Sequence, residues 1–303
     1  MRRLPRALAV TGLVFAACFV AILGILVAGG GDLASLGGNR VAVVEVEGLI
    51  VDAQPIVREL EEHGEDPSIR ALVVRIQSPG GVVAPTQEIY EAIRRLRDKR
   101  KPVVASMGAV AASGGYYLAA AADHIVANPG SLTGSIGVII QLVEIESLLK
   151  KVGVRYEVVK AGRYKDVGNI ARPMTPEERA VLQTVLDDMY DQFVAAVVQG
   201  RGLDRPTVLG LADGRVFSGR RAKEIGLVDS LGGLEDAVRK AAELAGIPGK
   251  PRLVRPRRPF HLTDLLQWIS GATSLGGGLL ASRGGLPSLP LLGSSKLPLY
   301  VME

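Results

Sequence analysis

A chain of 303 residues has room for one large α/β domain or two smaller ones with tails. Hydrophobic residues make up 48% of it and aromatic residues only 4%, so Ala, Val, Leu and Ile must fill the interior, as suits an α/β fold. The net charge of +5 is small and gathered at the ends, in Arg2, Arg3 and Arg6 and in Lys250, Arg252, Arg255, Arg257 and Arg258, which argues against nucleic acid as a partner; the single cysteine, Cys18, excludes an internal disulfide and any cysteine-based metal cluster.

Residues 7–28 carry no charge, and about 20 apolar residues are what a helix needs to cross roughly 30 Å of hydrocarbon. Arginines on the N-terminal side would stay in the cytoplasm, which predicts a single-pass anchor in the inner membrane with everything after Gly31 outside. A cleaved signal peptide is the competing reading, because residues 1–6 also look like a charged leader. A lipoprotein signal at Cys18 matches less well, since the sequence beyond it remains hydrophobic. The chain thus divides into an N-terminus and anchor at 1–31, a Gly-rich linker at 32–39, a domain at 40–247 and a Pro-, Gly- and Leu-rich tail at 248–303.

Within the domain, the β-branched apolar runs 41–46, 71–76 and 103–106 are expected as buried parallel strands. Helical patterns fall between them at 55–62 and 85–99, the second with Ile89, Ala92, Ile93 and Leu96 on one face. This alternation predicts right-handed βαβ units and a sheet covered on both faces. Further strands are expected at 125–127, 136–140 and 156–159, with helices at 116–122 and 144–152. Thr175-Pro176-Glu177-Glu178 is a helix-start signature for a helix running to about Gln199. Shorter helices are expected at 221–225 and 234–245. In the tail, 262–269 has an amphipathic pattern and 297–302 is apolar and Pro-containing.

Three local features bear on chemistry. Ser78-Pro79-Gly80-Gly81 ends a strand, and glycines there let backbone N–H groups face open space, as an oxyanion hole requires; an ordinary strand-to-helix turn is the plainer reading. Ala111-Ala112-Ser113-Gly114-Gly115 follows the next strand and opens an apolar helix. Ser113 there is either a helix cap or a nucleophile with Gly114 offering an N–H to a developing oxyanion. Gly162-Arg163-Tyr164-Lys165-Asp166 lies in a loop. A nucleophilic serine needs a base, and His63, His124 and His261 sit in charged, structural or tail contexts. Lys165 is either a solvated loop lysine or a base; a lysine serves as base only when neutral, with a pKa brought from about 10.4 towards 7 or 8 by burial or nearby positive charge. No cofactor and no metal are expected.

Ser78-Pro79-Gly80-Gly81, Met107-Gly108, Ala112-Ser113-Gly114-Gly115-Tyr116-Tyr117, Leu132-Thr133-Gly134-Ser135-Ile136-Gly137, Lys165-Asp166 and Asp213-Gly214-Arg215-Val216-Phe217-Ser218-Gly219 occur in that order. The set resembles the bacterial signal peptide peptidases of the SppA type over residues 41–246. The resemblance implies the spiral α/β fold of the ClpP and crotonase group, with Ser113 as nucleophile, Lys165 as general base, Gly81 and Gly114 as oxyanion donors and Ser135 as the hydroxyl that aims the lysine. ClpP-type relatives place a histidine base near 131–135, where this chain has none, so the likeness is to the Ser/Lys branch. It further implies a homo-oligomeric ring with sites shared between neighbouring subunits, and signal peptides and other unfolded apolar peptides as substrates. A membrane scaffold that keeps this fold and binds peptides without cutting is the alternative; a crotonase-type acyl-CoA enzyme would leave the serine–lysine pair and the anchor without a purpose.

Overall fold

The computed structural model describes residues 39–255. The expected anchor and most of the tail, including 262–269 and 297–302, lie outside the described residues. Among the described residues, no helix is long and apolar enough to cross a membrane.

Three long parallel strands form the centre: β1 (Arg40–Glu47), β2 (Ile69–Ser78) and β3 (Val103–Ala112). Their alternate side chains enter two separate cores, which is why the sequence reads as unbroken apolar runs. Ala42, Val44, Val46, Leu72, Val74 and Ile76 face one core. Val41, Val43, Ala71, Val73 and Val104 face the other. On the first face lie the crossover helices α1 (Gln54–Glu65) and α2 (Val83–Asp98), then α3 (Gly114–Ala120). The short α4 (Glu146–Lys151) precedes the long α5 (Pro176–Arg201), which packs on α3. After α6 (Arg205–Leu211) and α7 (Gly219–Glu224), α8 (Leu234–Leu244) covers the second face. Its buried side chains are mostly small, Ala237, Ala241 and Ala242 beside Val238, which lets it lie close to the strands.

Five short strands complete a sheet of eight with β1–β3: β4 (His124–Ala127), β5 (Leu132–Gly134), β6 (Val216–Ser218), β7 (Ser230–Leu231) and β8 (Arg252–Val254). The order is β6-β5-β3-β2-β1-β8, with β4 set between β3 and β7. Only the β5–β6 pair is antiparallel. Strand β3 hands over its outer edge along its length: Val104–Met107 pair with β4, and Val110–Ala112 pair with β5. Gly108 lies at the handover, where a Cβ would stand 1.8 Å from Gln77 Oε1. Past Gly108 the register with β2 shifts so that Ala111 pairs with Ser78, and β3 runs between β2 and β5 into the segment that precedes Ser113.

Helix α5 starts as its sequence predicts. Thr175 accepts from the Glu178 N–H at 3.2 Å while Glu178 accepts from the Thr175 N–H at 3.0 Å, a reciprocal cap, and Gly202 ends it in the left-handed conformation at φ 63°. Two strand expectations are corrected. Residues 136–140 and 156–159 enter no ladder, although both are rich in β-branched residues. Ile136 is fully buried, but the residues after it pair with no strand among the described residues. The sheet also takes in β8, whose Arg252, Leu253 and Val254 pair with Arg40, Val41 and Ala42; three residues are too short a run to show a period, so the stretch beyond 247 read as tail.

Near its C-terminal end α5 meets the end of α3 at Gly200, where an added Cβ would stand 2.0 Å from the Ala120 carbonyl oxygen. Glycine to alanine inside a helix ordinarily gains up to about 1 kcal/mol. Overpacking costs about 1–3 kcal/mol and should win here. Gly200→Ala is therefore expected to lower Tm by several degrees in thermal unfolding, whereas a raised Tm would mean that the two helices do not meet this closely.

Candidate active site

The site is built where β2 and β3 both run out into turns. Ser113 follows β3 with φ 50° and ψ −120°, a conformation that costs a non-glycine residue on the order of 1–3 kcal/mol. It is held there from both sides. Its N–H donates to the Gly134 carbonyl at 2.8 Å, and its carbonyl accepts from the Tyr117 N–H at 2.9 Å. Although Ser113 occupies the position before α3, its side chain makes no capping hydrogen bond. The cap reading therefore fails, and the hydroxyl is left for other use.

The facing wall is Ser78–Gly81. The buried Ser78 hydroxyl accepts from the Gly80 N–H at 3.1 Å, and the turn is pinned to Ile50, whose N–H donates to Gly80 O at 2.9 Å and whose carbonyl accepts from Val82 at 2.8 Å. Gly80 takes φ 118°, open to glycine and strained for anything else. The two turns approach so closely that side chains are excluded. A Cβ on Gly80 would stand 3.1 Å from Ser113 Oγ and 2.9 Å from Gly114 N; one on Gly114 would stand 3.3 Å from Gly81 N; one on Gly81 would stand 2.2 Å from Ile50 O. Neither the Gly81 nor the Gly114 amide finds an acceptor among the described residues. Two unpaired N–H groups next to a serine hydroxyl are what a developing oxyanion requires.

A cavity of about 30 Å³ opens at this point, lined by Ser113, Gly114, Tyr117, Val138, Met189 and Phe193 among others. Its apolar side is built from packed aromatic rings. The rings of Tyr90 and Tyr117 meet edge to face at 4.8 Å, and Tyr117 meets Phe193 at 4.9 Å. Sequence reasoning did not find Met189 or Phe193, which come from α5 and reach the serine only through helix packing; Phe193 shows in the sequence merely as part of an apolar stripe.

Ser135, also at positive φ (50°), donates its N–H to Arg215 O at 2.8 Å. It follows Gly134, whose carbonyl receives the Ser113 amide, so the backbone ties it to the serine turn. Lys165 is placed differently. It is exposed, in a turn closed by its own N–H to Gly162 O at 3.3 Å, and does not line the Ser113 cavity. Within one chain the fold brings together Ser113, Gly81, Gly114 and, by its backbone, Ser135, and leaves Lys165 apart. No described histidine replaces it. His63 lies 3.6 Å from Glu59, and His124 Nε2 lies 2.9 Å from the Ser230 hydroxyl. Burial pushes both imidazoles below their ordinary pKa, and neither touches the cavity; His261 is outside the described residues. Among the described residues, no group of three or more His, Cys, Asp or Glu is arranged to hold a metal.

The turn bearing Lys165 is nonetheless fastened. Its neighbour Asp166 pairs with Lys160 and, at 3.0 Å, with Arg172. Arg172 in turn donates at 2.8 Å to Glu178, which also closes the cap of α5. The chain of charges roots the lysine turn at the start of α5, and nothing in the sequence beyond the six-residue spacings 166–172–178 announced it.

A serine on a strained turn beside two free amides, over a mixed α/β sheet, is a geometry for acyl transfer and defines the chain as a serine hydrolase in class. Comparison with known families narrows this. Residues 95–248 match peptidase family S49, and residues 51–131 match the Clp protease family. A protein of Synechocystis sp. named provisionally as a protease is 47% identical over 217 residues, covering 71% of this chain and 78% of that protein. Protease 4 of Haemophilus influenzae is 36% identical over 215 residues, 68% of this chain and 35% of its own length. The chloroplastic serine protease SPPA of Arabidopsis thaliana is 33% identical over 251 residues, 82% of this chain and 36% of its own. This chain therefore spans about a third of the two longer relatives. It belongs to peptidase family S49, the SppA-type serine peptidases, and its sheet is of the ClpP-like kind.

Hydrogen bonds from Lys160 hold the Asp166 carboxyl down to about 2, and those from Arg172 hold Glu178 down to about 2, against about 4 in an unfolded chain. Carboxyls depressed in this way stabilise the fold above about pH 5, and the contribution disappears as pH falls towards 2. Arg172→Met is expected to destabilise the protein at pH 7 and to differ less from the parent at pH 3. Thermal unfolding at the two pH values checks this, and an equal deficit at both would show that the charges are not coupled to folding.

Proposed function

We propose that this chain is a membrane-anchored endopeptidase working through an acyl-enzyme, with Ser113 as nucleophile and Lys165 of a neighbouring subunit as base, acting on cleaved signal peptides and other unfolded apolar peptides. The observation that carries the reading is the mismatch just described: a serine beside two free amides in a cavity that no basic side chain among the described residues lines. The segment carrying Lys165 supports a shared site. Between 137 and 171 the chain exposes Val143 (68%), Tyr156 (61%) and Val159 (97%) along with Leu142, Leu148 and Ile170, and large apolar side chains gathered on one segment mark a surface suited to a partner. A ring of subunits would cover it, and the irregular run 154–160 would find there a strand edge, since no described residue of its own chain pairs with it. Burial against a neighbour is also the desolvation that a lysine base needs.

In this mechanism the neutral Lys165 amine takes the Ser113 proton as Oγ bonds to the scissile carbonyl carbon. The carbonyl electron pair moves onto oxygen and is received by the Gly81 and Gly114 amides, with Ser135 aiming the amine. Collapse breaks the C–N bond, and the leaving nitrogen takes its proton from Lys165. Water, deprotonated by the same amine, then attacks the ester carbonyl; the C–Oγ bond breaks, and Oγ takes the proton back from Lys165, which frees both residues for the next cycle. The anchor is the span at 7–28, which would hold the spiral ClpP/crotonase-like domain on the extracytoplasmic side, where spent signal peptides are released.

Ser113→Ala and Lys165→Ala are each expected to lower peptide hydrolysis by detergent-solubilised protein by at least about 10³-fold. Chains carrying the two changes separately should recover activity when co-expressed, because some interfaces then pair an intact serine with an intact lysine; an active Lys165→Ala enzyme would overturn the dyad, and two dead variants that stay dead together would place both residues in one chain.

The small cavity sets the residue accepted beside the cut. About 30 Å³ takes a methyl group and little more, so peptides with Ala before the scissile bond should exceed those with Phe in kcat/KM by about 10-fold or more. Equal rates for the two would mean that this cavity does not receive the side chain.

A further inference from the structure

Among the described residues, an apolar-lined cavity much larger than the one at the serine is found elsewhere. It lies on the opposite side of the sheet, between α8 and the edge strand β8, with a volume of about 520 Å³ and a floor of Leu234, Val238, Ala242, Ile247 and Leu253. Its position explains why it exists. Strand β8 continues the sheet past β1, while α8 alone covers this face, packing over Val41, Val43, Ala71 and Val73. The sheet is therefore wider than its cover, and Leu253 on β8 stays 42% exposed. The rim carries both signs, with Glu235, Arg239, Glu243, Lys250 and Arg255.

Arg255, the last described residue, stands on that rim. The sequence then runs Pro256-Arg257-Arg258-Pro259 and enters Phe260-His261-Leu262-Thr263-Asp264-Leu265-Leu266-Gln267-Trp268-Ile269. Leu262, Leu265, Leu266 and Ile269 recur at i, i+3, i+4 and i+7, the spacing of one helical face. Seven residues from Arg255 to Leu262 reach at most about 25 Å, ample to return over an opening whose edge the chain is leaving. We propose that residues 262–269 dock in cis into the α8–β8 cavity, laying this stripe on Val238, Ala242, Ile247 and Leu253 and completing the cover of the second face. The segment that continues from the rim is the occupant at highest local concentration, and it supplies the apolar face that the floor lacks. The proposal goes beyond the peptidase reading and does not depend on the roles of Ser113 or Lys165.

Trp268 is the only tryptophan of the chain and reports on the segment directly. In the full-length protein in detergent, its emission is expected to be blue-shifted, and to move to the red in both Leu266→Asp and Leu253→Asp; the second changes a partly exposed residue of the cavity and leaves the segment intact. In a Cys18→Ser background, Val238→Cys paired with Leu266→Cys should oxidise to an intrachain disulfide faster than Val238→Cys paired with Gln267→Cys, which lies off the stripe. A Trp268 emission indifferent to Leu253→Asp, or one that shifts only when anionic vesicles are added, would overturn the proposal in favour of a membrane-surface segment. Disulfides forming only between chains would overturn it in favour of a second copy.

Discussion

The structure of the site depends on one close approach, that of the Ser78–Gly81 turn to the Ser113–Gly114 turn. Three glycines permit it, since a Cβ on any of Gly80, Gly81 or Gly114 would stand 2.2–3.3 Å from backbone atoms. What holds it is outside the turns. Ile50 clasps one through both its N–H and its carbonyl, and Gly134 fixes the other by accepting from Ser113. Both clasps come from segments beside the ends of the long strands, so the parallel register of β1, β2 and β3 is transmitted directly to the positions of the two free amides. The strained φ of Ser113 persists because these bonds over-determine it.

The same sheet keeps Lys165 and Ser113 apart within one chain. Strand β3 changes its outer partner from β4 to β5, and the chain after β5 leaves the body before it can return as α5. That excursion carries Lys165 on an apolar, largely uncovered segment, rooted by Arg172 between Asp166 and Glu178. A domain can afford such a surface only where something else will cover it. Two faces of this molecule share that property: the excursion beside the serine side of the sheet, and the α8–β8 cavity on the other.

Much of the framework was legible. Val41–Val46 and the corresponding runs of β2 and β3 announce strands because both faces are buried and no polar alternation interrupts them. Thr175 and Glu178 announce α5 because a reciprocal cap is a local interaction. The strands β5, β6, β7 and β8 were not legible, since two or three residues show no period and their pairing is decided by distant partners. Residues 156–159 misled for the reverse reason: Val158 and Val159 have the composition of a strand, but a strand needs a neighbouring edge, and none pairs with them among the described residues.

Ser113, Gly81 and Gly114 were marked by sequence alone as a serine and two glycines at strand ends, because a turn that must admit backbone to backbone needs glycine, and that demand is local. Sequence left open whether Ser113 caps a helix, and only the tertiary structure answered, by giving it a left-handed backbone and no capping bond. The cavity wall of Met189 and Phe193, the Arg172 bridge and the separation of Lys165 from Ser113 were likewise decided by tertiary structure. Each depends on where helices and loops far apart in the chain are packed, and no spacing of residues encodes a distance between segments that meet only after folding.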